Sequence, residues 1–412
     1  MNKSELLDSK MWTTTDLDEA YRVLDDLSSS VLVTEVRSDK IKAVSYMGEN
    51  EGKVTFAVCE PPDRTSVKRS RVLGMPSSFT VLDKSEFIRD WLGDNEAFYK
   101  ELKKSGFMLN IDGTLYICSG ETIGTLCSRC SLGGAALTEN VSVLRDSYIT
   151  EILAKKKSKC SVVMRVSEEG VRKVFAVLGG TYTAIPQNKI RDVVAAAEDE
   201  LLGDKESTFR GMTANNFVTR LYFEYPSIAD EFRKVYKMTL NVTPGICVVT
   251  SDMGDSSLTV YGTIRLPGSE TPFHIGKYSR IHRGNVDIDE YIEGVRNNIF
   301  TEYTKIPERI MELLTIDVSD VNETLKAVME KSRLAKVIGK KYSDQFVEAA
   351  AQEFIPGKPY NAFDIANFIA TVPERIIGMA ASARDAFAKT AKDAFFVDYE
   401  SICGTTVLGI SA

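Results

Sequence analysis

A change of periodicity near residue 288 constrains most what this chain of 412 residues can fold into. Before it, the runs CSVVMRV (160–166), KVFAVLG (173–179), FVTRLYFEY (217–225), GICVVTSD (245–252) and SLTVYGTIRL (257–266) are short and rich in β-branched and aromatic residues, as strands are. After it, apolar residues recur every three to four positions through 288–315, 321–334, 343–354 and 363–395, the spacing of helices with one buried face. Strands followed by helices predict an α+β fold: a mixed or antiparallel sheet unit with a helical region packed on it. Pro307 and Pro373 fall inside two of the helical stretches and are predicted to kink or break them.

The first 150 residues read as a smaller α/β segment. The stretch 16–27 places Leu17, Ala20, Val23 and Leu24 on one helical face, with Thr13, Thr14 or Thr15 as the expected cap. Strands are predicted over 30–36, 42–46 and 53–58, a helix over 85–106, and a hairpin over 107–120 turning at Asp112-Gly113. A helix or loop of small residues follows over 121–138, and a helix over 147–160 ends in a lysine cluster. A second hairpin is predicted around Gly170, then a helix over 190–203 and a short amphipathic helix over 227–236. The expected divisions are an N-terminal α+β domain (1–157), a central sheet domain (158–287) and a C-terminal helical region (288–412). Neither a fixed-period repeat nor a low-complexity segment interrupts them.

Composition removes several classes of function. Lys and Arg total 51 against 58 Asp and Glu, a formal net charge of −7, so no overall positive field attracts nucleic acid; a local basic groove stays open. The first residues lack the apolar stretch of a secretory signal, and no run approaches the roughly 20 apolar residues that span a bilayer. Seven scattered cysteines read as reduced thiols, and the expected location is the cytoplasm. With only His274 and His282, histidine-rich metal sites and HExxH chemistry are excluded, and a Ser-His-Asp triad would have to use one of these two.

Few motifs carry chemistry. Cys127 and Cys130 form a CxxC without a second pair for zinc, which leaves buried, inert thiols as the simpler reading. Gly276-Lys277 and Gly339-Lys340 lack the Ser or Thr of a phosphate-binding loop, and GxGxxG and GxSxG are missing. The loop Thr250–Ser257 could hold a divalent cation such as Mg²⁺ through Asp252 and Asp255, or be a turn of Asp, Gly and Ser. Three basic clusters remain: Arg64, Lys68, Arg69 and Arg71; Lys155, Lys156, Lys157 and Lys159; and Lys277, Arg280, His282 and Arg283 beside Tyr278. Cations interleaved with aromatics suit a groove that tracks a single strand, whereas isolated charge runs are solvated surface.

Four stretches resemble, in order, the phage/plasmid-like proteins of domain-of-unknown-function family 932. They are VLGGTYTAIPQN (177–188), VTSDMGDSS (249–257), IHRGNV (281–286) and GKPYNAFDIAN (357–367), so the resemblance spans about 160–395. It implies an accessory role in DNA handling by a mobile element rather than a defined reaction. The expectation is therefore a non-enzymatic, homo-oligomeric protein that binds or anneals single-stranded DNA and has no membrane partner. Its candidate contacts are Lys68, Arg69, Arg71, Lys155, Lys156, Lys157, Tyr182, Asn188, Lys277, Tyr278, Arg280, His282 and Arg283. The alternatives are a self-assembling particle component, drawing on the apolar tail 404–412, and a divalent-cation-dependent nuclease using Asp252, Asp255 and Asp287.

Overall fold

The computed structural model describes residues 11–58, 78–89, 96–132, 142–167, 170–202, 206–237, 239–253, 257–280 and 288–403. The strands of the two large sheets are β1 (Trp12–Thr14), β2 (Val31–Arg37), β3 (Ile41–Asn50), β4 (Lys53–Val58), β5 (Ser78–Asp83), β6 (Phe107–Ile111), β7 (Thr114–Cys118), β8 (Lys159–Val166), β9 (Arg172–Gly179), β10 (Thr208–Ala214), β11 (Thr219–Glu224), β12 (Thr243–Thr250), β13 (Leu258–Arg265) and β14 (Phe273–Arg280). They form two large sheets, and the fold is α+β.

The eight-stranded sheet has the order β2-β8-β9-β7-β6-β3-β4-β5, antiparallel except where β7 runs parallel to β9. Its strands bury both faces. Along β6, Phe107, Leu109 and Ile111 enter one apolar cluster and Met108 the other. Helices Gly120–Cys130 and Ser142–Lys156 cover one face through Leu126, Cys127, Cys130, Ile149 and Leu153. Phe87, Phe98, Tyr99 and Leu102 cover the other. The β6–β7 turn falls where expected, with Asp112 at φ 52° and Gly113 at φ 93°, the pair of positive angles a tight hairpin turn requires.

The six-stranded sheet, β1-β10-β11-β12-β13-β14, is antiparallel throughout. One face, built from Met212, Leu221, Phe223, Ile246, Val248, Val260, Ile264 and Ile275, packs against the helical region in the largest core of the molecule. Helices Lys305–Thr315, Ala362–Ala370 and Ala381–Phe395 contribute Ile306, Ile310, Ile365, Ile369, Phe387 and Phe395 to it. Both prolines interrupt their helical stretches as predicted. The helix starting at Ile288 passes through a π-helical turn (Arg296–Phe300) before Lys305–Thr315, and Pro373 opens the short helix Val372–Arg375 after the stop at Thr371.

Two sequence expectations meet a different structure. Asp16, not a threonine, caps helix Leu17–Ser30, its side chain accepting from Glu19 N at 2.8 Å. Thr13 and Thr14 are drawn instead into β1, which pairs with β10. The boundary expected at 157 falls inside one sheet: β2 pairs along its whole length with β8, from Val31 opposite Arg165 to Arg37 opposite Lys159.

Candidate functional site

The second face of the six-stranded sheet is polar. Alternation along β11 sends Leu221 and Phe223 into the core and leaves Arg220, Tyr222 and Glu224 on the other side. The β11–β12 and β12–β13 registers set Tyr222 opposite Cys247, which faces Tyr261; Thr263 and Arg265 follow two and four residues on. Thr213 of β10 faces Arg220 across the strands.

This face floors a groove of about 930 Å³. Arg210, Arg220, Arg265 and Arg384 line it together with Glu121, Glu224 and Glu270, and Phe217 and Tyr222 supply aromatic wall. Arg384 and Ala388 reach it from helix Ala381–Phe395, whose Phe387 and Ala391 point into the core, so one amphipathic helix is both buttress and wall. On the same sheet face Tyr261 stacks on His274 at 4.2 Å between ring centroids. The ammonium groups of Lys277 and Lys389 lie 5.9 and 6.0 Å from the Tyr261 ring, at the outer range of cation–π contact.

A second cavity of about 580 Å³ shares Glu121 and Phe217 with the first and continues over Arg129, Phe175 and Gly179. Phe217 belongs to the β10–β11 turn. Asn215 Oδ1 accepts from the backbone of Phe217 and Val218, and Arg165 donates to Asn216 O at 3.3 Å from within the fold. Arg165 is fully buried; it donates to Leu27 O and Ser30 Oγ, both at 2.7 Å. Asp252, 1 % exposed, lies 3.9 Å from it. Burial raises the Asp252 carboxyl to about 7 despite the opposing Arg165 guanidinium, and burial lowers Arg165 to about 10.

The candidates from the sequence separate in the fold. Lys155 pairs with Glu151, and Lys156 donates to Arg129 O behind the second cavity. Lys157 ends its helix at φ 45°, and Lys159 pairs with Glu35 at 2.8 Å. Lys277 lies on the groove side of β14. Its neighbour Tyr278 faces the helices instead: its ring packs 5.1 Å from Tyr291, where Gly294 leaves it room, so it offers no stacking surface in the groove. Arg280 pairs with Glu290 at 3.2 Å. Tyr182 is half-buried and donates to Asp252 O, while the Asn188 backbone donates to Ser28 Oγ at 2.9 Å. Lys68, Arg69, Arg71, Asp255, His282 and Arg283 lie outside the described residues.

Asp252 meets a guanidinium rather than an open coordination site. Among the described residues no group of three His, Cys, Asp or Glu could hold a metal ion. Burial raises the thiols of Cys127 and Cys130, in keeping with inert core sulfurs. No described helix is long and apolar enough to cross a membrane. Sequence reasoning missed Arg210, Arg220, Arg265, Arg384 and Tyr222. The available signal was the i, i+2, i+4 pattern Arg220-Tyr222-Glu224 and Tyr261-Thr263-Arg265, which puts polar groups on one side of adjacent strands.

Comparison with protein-family models, with curated proteins and with solved structures finds no match.

Proposed function

We propose that the protein binds single-stranded nucleic acid along the polar face of the six-stranded sheet, as an accessory, non-enzymatic factor of DNA metabolism working as a homo-oligomer in the cytoplasm. The observation that carries this reading is the groove: four arginines from β10, β11, β13 and helix Ala381–Phe395 face one open channel with Phe217 and Tyr222. Guanidinium groups neutralise phosphates, and aromatic rings accept bases of any sequence. The second cavity lengthens the path toward Arg129, with Lys156 behind it. On a chain of net charge −7 the groove lining is net positive by one, four arginines against Glu121, Glu224 and Glu270, which favours a polyanion there over the rest of the surface.

Titration of labelled oligothymidylate at low and moderate salt tests the reading. Affinity should fall steeply with salt, and Arg220→Ala should reduce the log–log slope by about 0.7, the counterion release of one single-strand phosphate contact. Absence of binding at micromolar protein in low salt overturns it. A self-assembling particle component is the second reading. It is favoured by exposed apolar side chains in the helical region, Ile377 at 86 % and Val347 at 62 % exposure. Light scattering that shows a large closed assembly without nucleic acid would favour that reading, and a monomer would remove it.

A further inference from the structure

The polar face of the six-stranded sheet continues past the arginine-lined groove. Tyr222 of β11, Cys247 of β12, Tyr261 of β13 and Lys277 of β14 stand in one row across four neighbouring strands. Tyr222 lines the groove; so do Thr263, two residues along β13 from Tyr261, and Ala388, next to Lys389 on helix Ala381–Phe395. The row therefore leads out of the groove toward β14, beside the same helical wall. Within it, Tyr261 is backed and flanked. His274 is buried and stacks on the ring, with centroids 4.2 Å apart and planes 25° from parallel, while Tyr261 itself is partly exposed. The ring thus has a fixed support beneath it, which removes rotamer freedom that a ligand would otherwise have to remove on binding. Exposed Lys277 and Lys389 bring their ammonium groups to 5.9 and 6.0 Å from the ring centroid, one from the sheet and one from the helix. Cys247, between the two tyrosines, is short and fully buried, so the rings stand as separate platforms.

We propose that Tyr261, with Lys277 and Lys389, is a nucleotide subsite outside the arginine-lined groove: one base lies on the tyrosine ring, and the strand's phosphates pass the two ammonium groups. The proposal rests on the single-strand reading above and names what that face takes at its β14 end. Ring chemistry separates this subsite from the groove. Arginines and lysines attract any polyanion, whereas an aromatic face supported from behind favours a ligand that brings a flat ring of its own. Spacing decides which form of nucleic acid can use it. Two strand-to-strand steps put Tyr222 and Tyr261 about 10 Å apart, whereas neighbouring stacked bases are about 3.4 Å apart along each strand. Bases held in a stack therefore cannot serve both rings in succession. An extended single strand can, with its chain crossing the sheet from β11 to β14.

The test uses the full chain with Tyr261→Trp as a fluorescent reporter and follows binding independently by calorimetry. Oligothymidylate should quench the added emission in step with binding, because the stacked base touches the indole; with Tyr116→Trp, on the eight-stranded sheet, the emission should not change. Inorganic polyphosphate of equal charge should bind the groove without quenching. Tyr261→Leu keeps the bulk and loses the aromatic face. It should weaken oligothymidylate about tenfold, the effect of one base–aromatic stack, and leave polyphosphate affinity as in the wild type. Lys277→Gln should lower the log–log salt slope for oligothymidylate by about 0.7 and keep the quenching. Salt-sensitive oligothymidylate binding with the Tyr261→Trp emission unquenched overturns the subsite and leaves the groove reading standing. So does an equal loss of both ligands in Tyr261→Leu, which would make the ring a structural support. If no strand binds, the groove reading fails and takes the subsite with it.

Discussion

At the scale of single residues, Arg165 and Asp252 join the two sheets. Arg165 stands on β8 and Asp252 just after β12, and both are buried. Arg165 also fixes the turn that holds Phe217 in the groove wall, through Asn216 O. The Asp252 carboxyl rises from 3.8 to about 7 in the folded chain, so between these values the folded state binds a proton that the unfolded state does not. The contribution of Asp252 to stability is therefore greatest below about pH 4, falls as pH rises to about 7, and is level beyond. Arg165, at about 10, stays charged throughout that window. Asp252→Asn cannot titrate, so its stability relative to the wild type should climb between pH 4 and 7 in urea melts; a constant difference would show that Asp252 is ionised in the fold throughout. Arg165→Met leaves the Asp252 carboxyl without its cation and should cost about 3 kcal/mol at neutral pH, less near pH 4 where the carboxyl is protonated. The sequence made Asp252 visible as a candidate ligand because it stands in a polar loop. Its partner was hidden inside an apolar strand run, where an arginine reads as an edge or solvent-facing residue.

At the scale of elements, the strands and the two proline breaks were legible because they depend on local chemistry: β-branched content, turn residues, and the missing N–H of proline. Which face of each strand is polar was legible in principle from alternation. Composition of the runs, however, names a strand without assigning its sides, and Tyr278 was read as a groove residue when it belongs to the opposite face. The packing of helix Ile288–Val295 on β14 supplies a check. A Cβ on Gly294 would stand 2.1 Å from the half-buried Tyr278 ring, which also packs 5.1 Å from Tyr291 of the same helix. Gly294→Ala should therefore destabilise the protein by about 2 kcal/mol, the cost of overpacking. In Tyr278→Ala/Gly294→Ala the glycine replacement should cost far less than it does alone, because the clashing ring is gone. Additive losses in denaturant titrations would mean that helix and strand do not meet as described. Neither change touches the groove, so oligonucleotide affinity should survive both.

At the scale of the whole molecule, a division near 157 was the natural expectation from sequence, since a lysine-rich helix end followed by a strand run looks like a domain junction. Pairing between distant strands leaves no local mark, and here it decides the architecture. β2 and β8 pair over seven residue pairs whose partners stand 122 to 134 positions apart in sequence, helix Leu17–Ser30 buries Ala20, Leu24 and Leu27 in the core of the six-stranded sheet, and β1 adds to β10. A fragment spanning 158–412 would lose all three contacts. The length of β8 would become an open sheet edge, Arg165 would lose the Leu27 and Ser30 acceptors, and the apolar faces of β8 and β9 would lose helices Gly120–Cys130 and Ser142–Lys156. The fragment 1–157 would keep β2 without β8, and β7 without β9 beside it. Expressed separately, neither piece should give a cooperative urea transition, and both should be digested rapidly by protease, whereas the full chain should unfold with its two sheets lost together. Tyr222 on the six-stranded sheet and Tyr116 on the eight-stranded one can be replaced by tryptophan as separate reporters, and their transition midpoints should coincide. If fragment 158–412 folds cooperatively by itself, or if the two reporters melt apart, the sheets are independent units, and the groove wall set by Arg165 and the Phe217 turn would have to hold without the N-terminal segment.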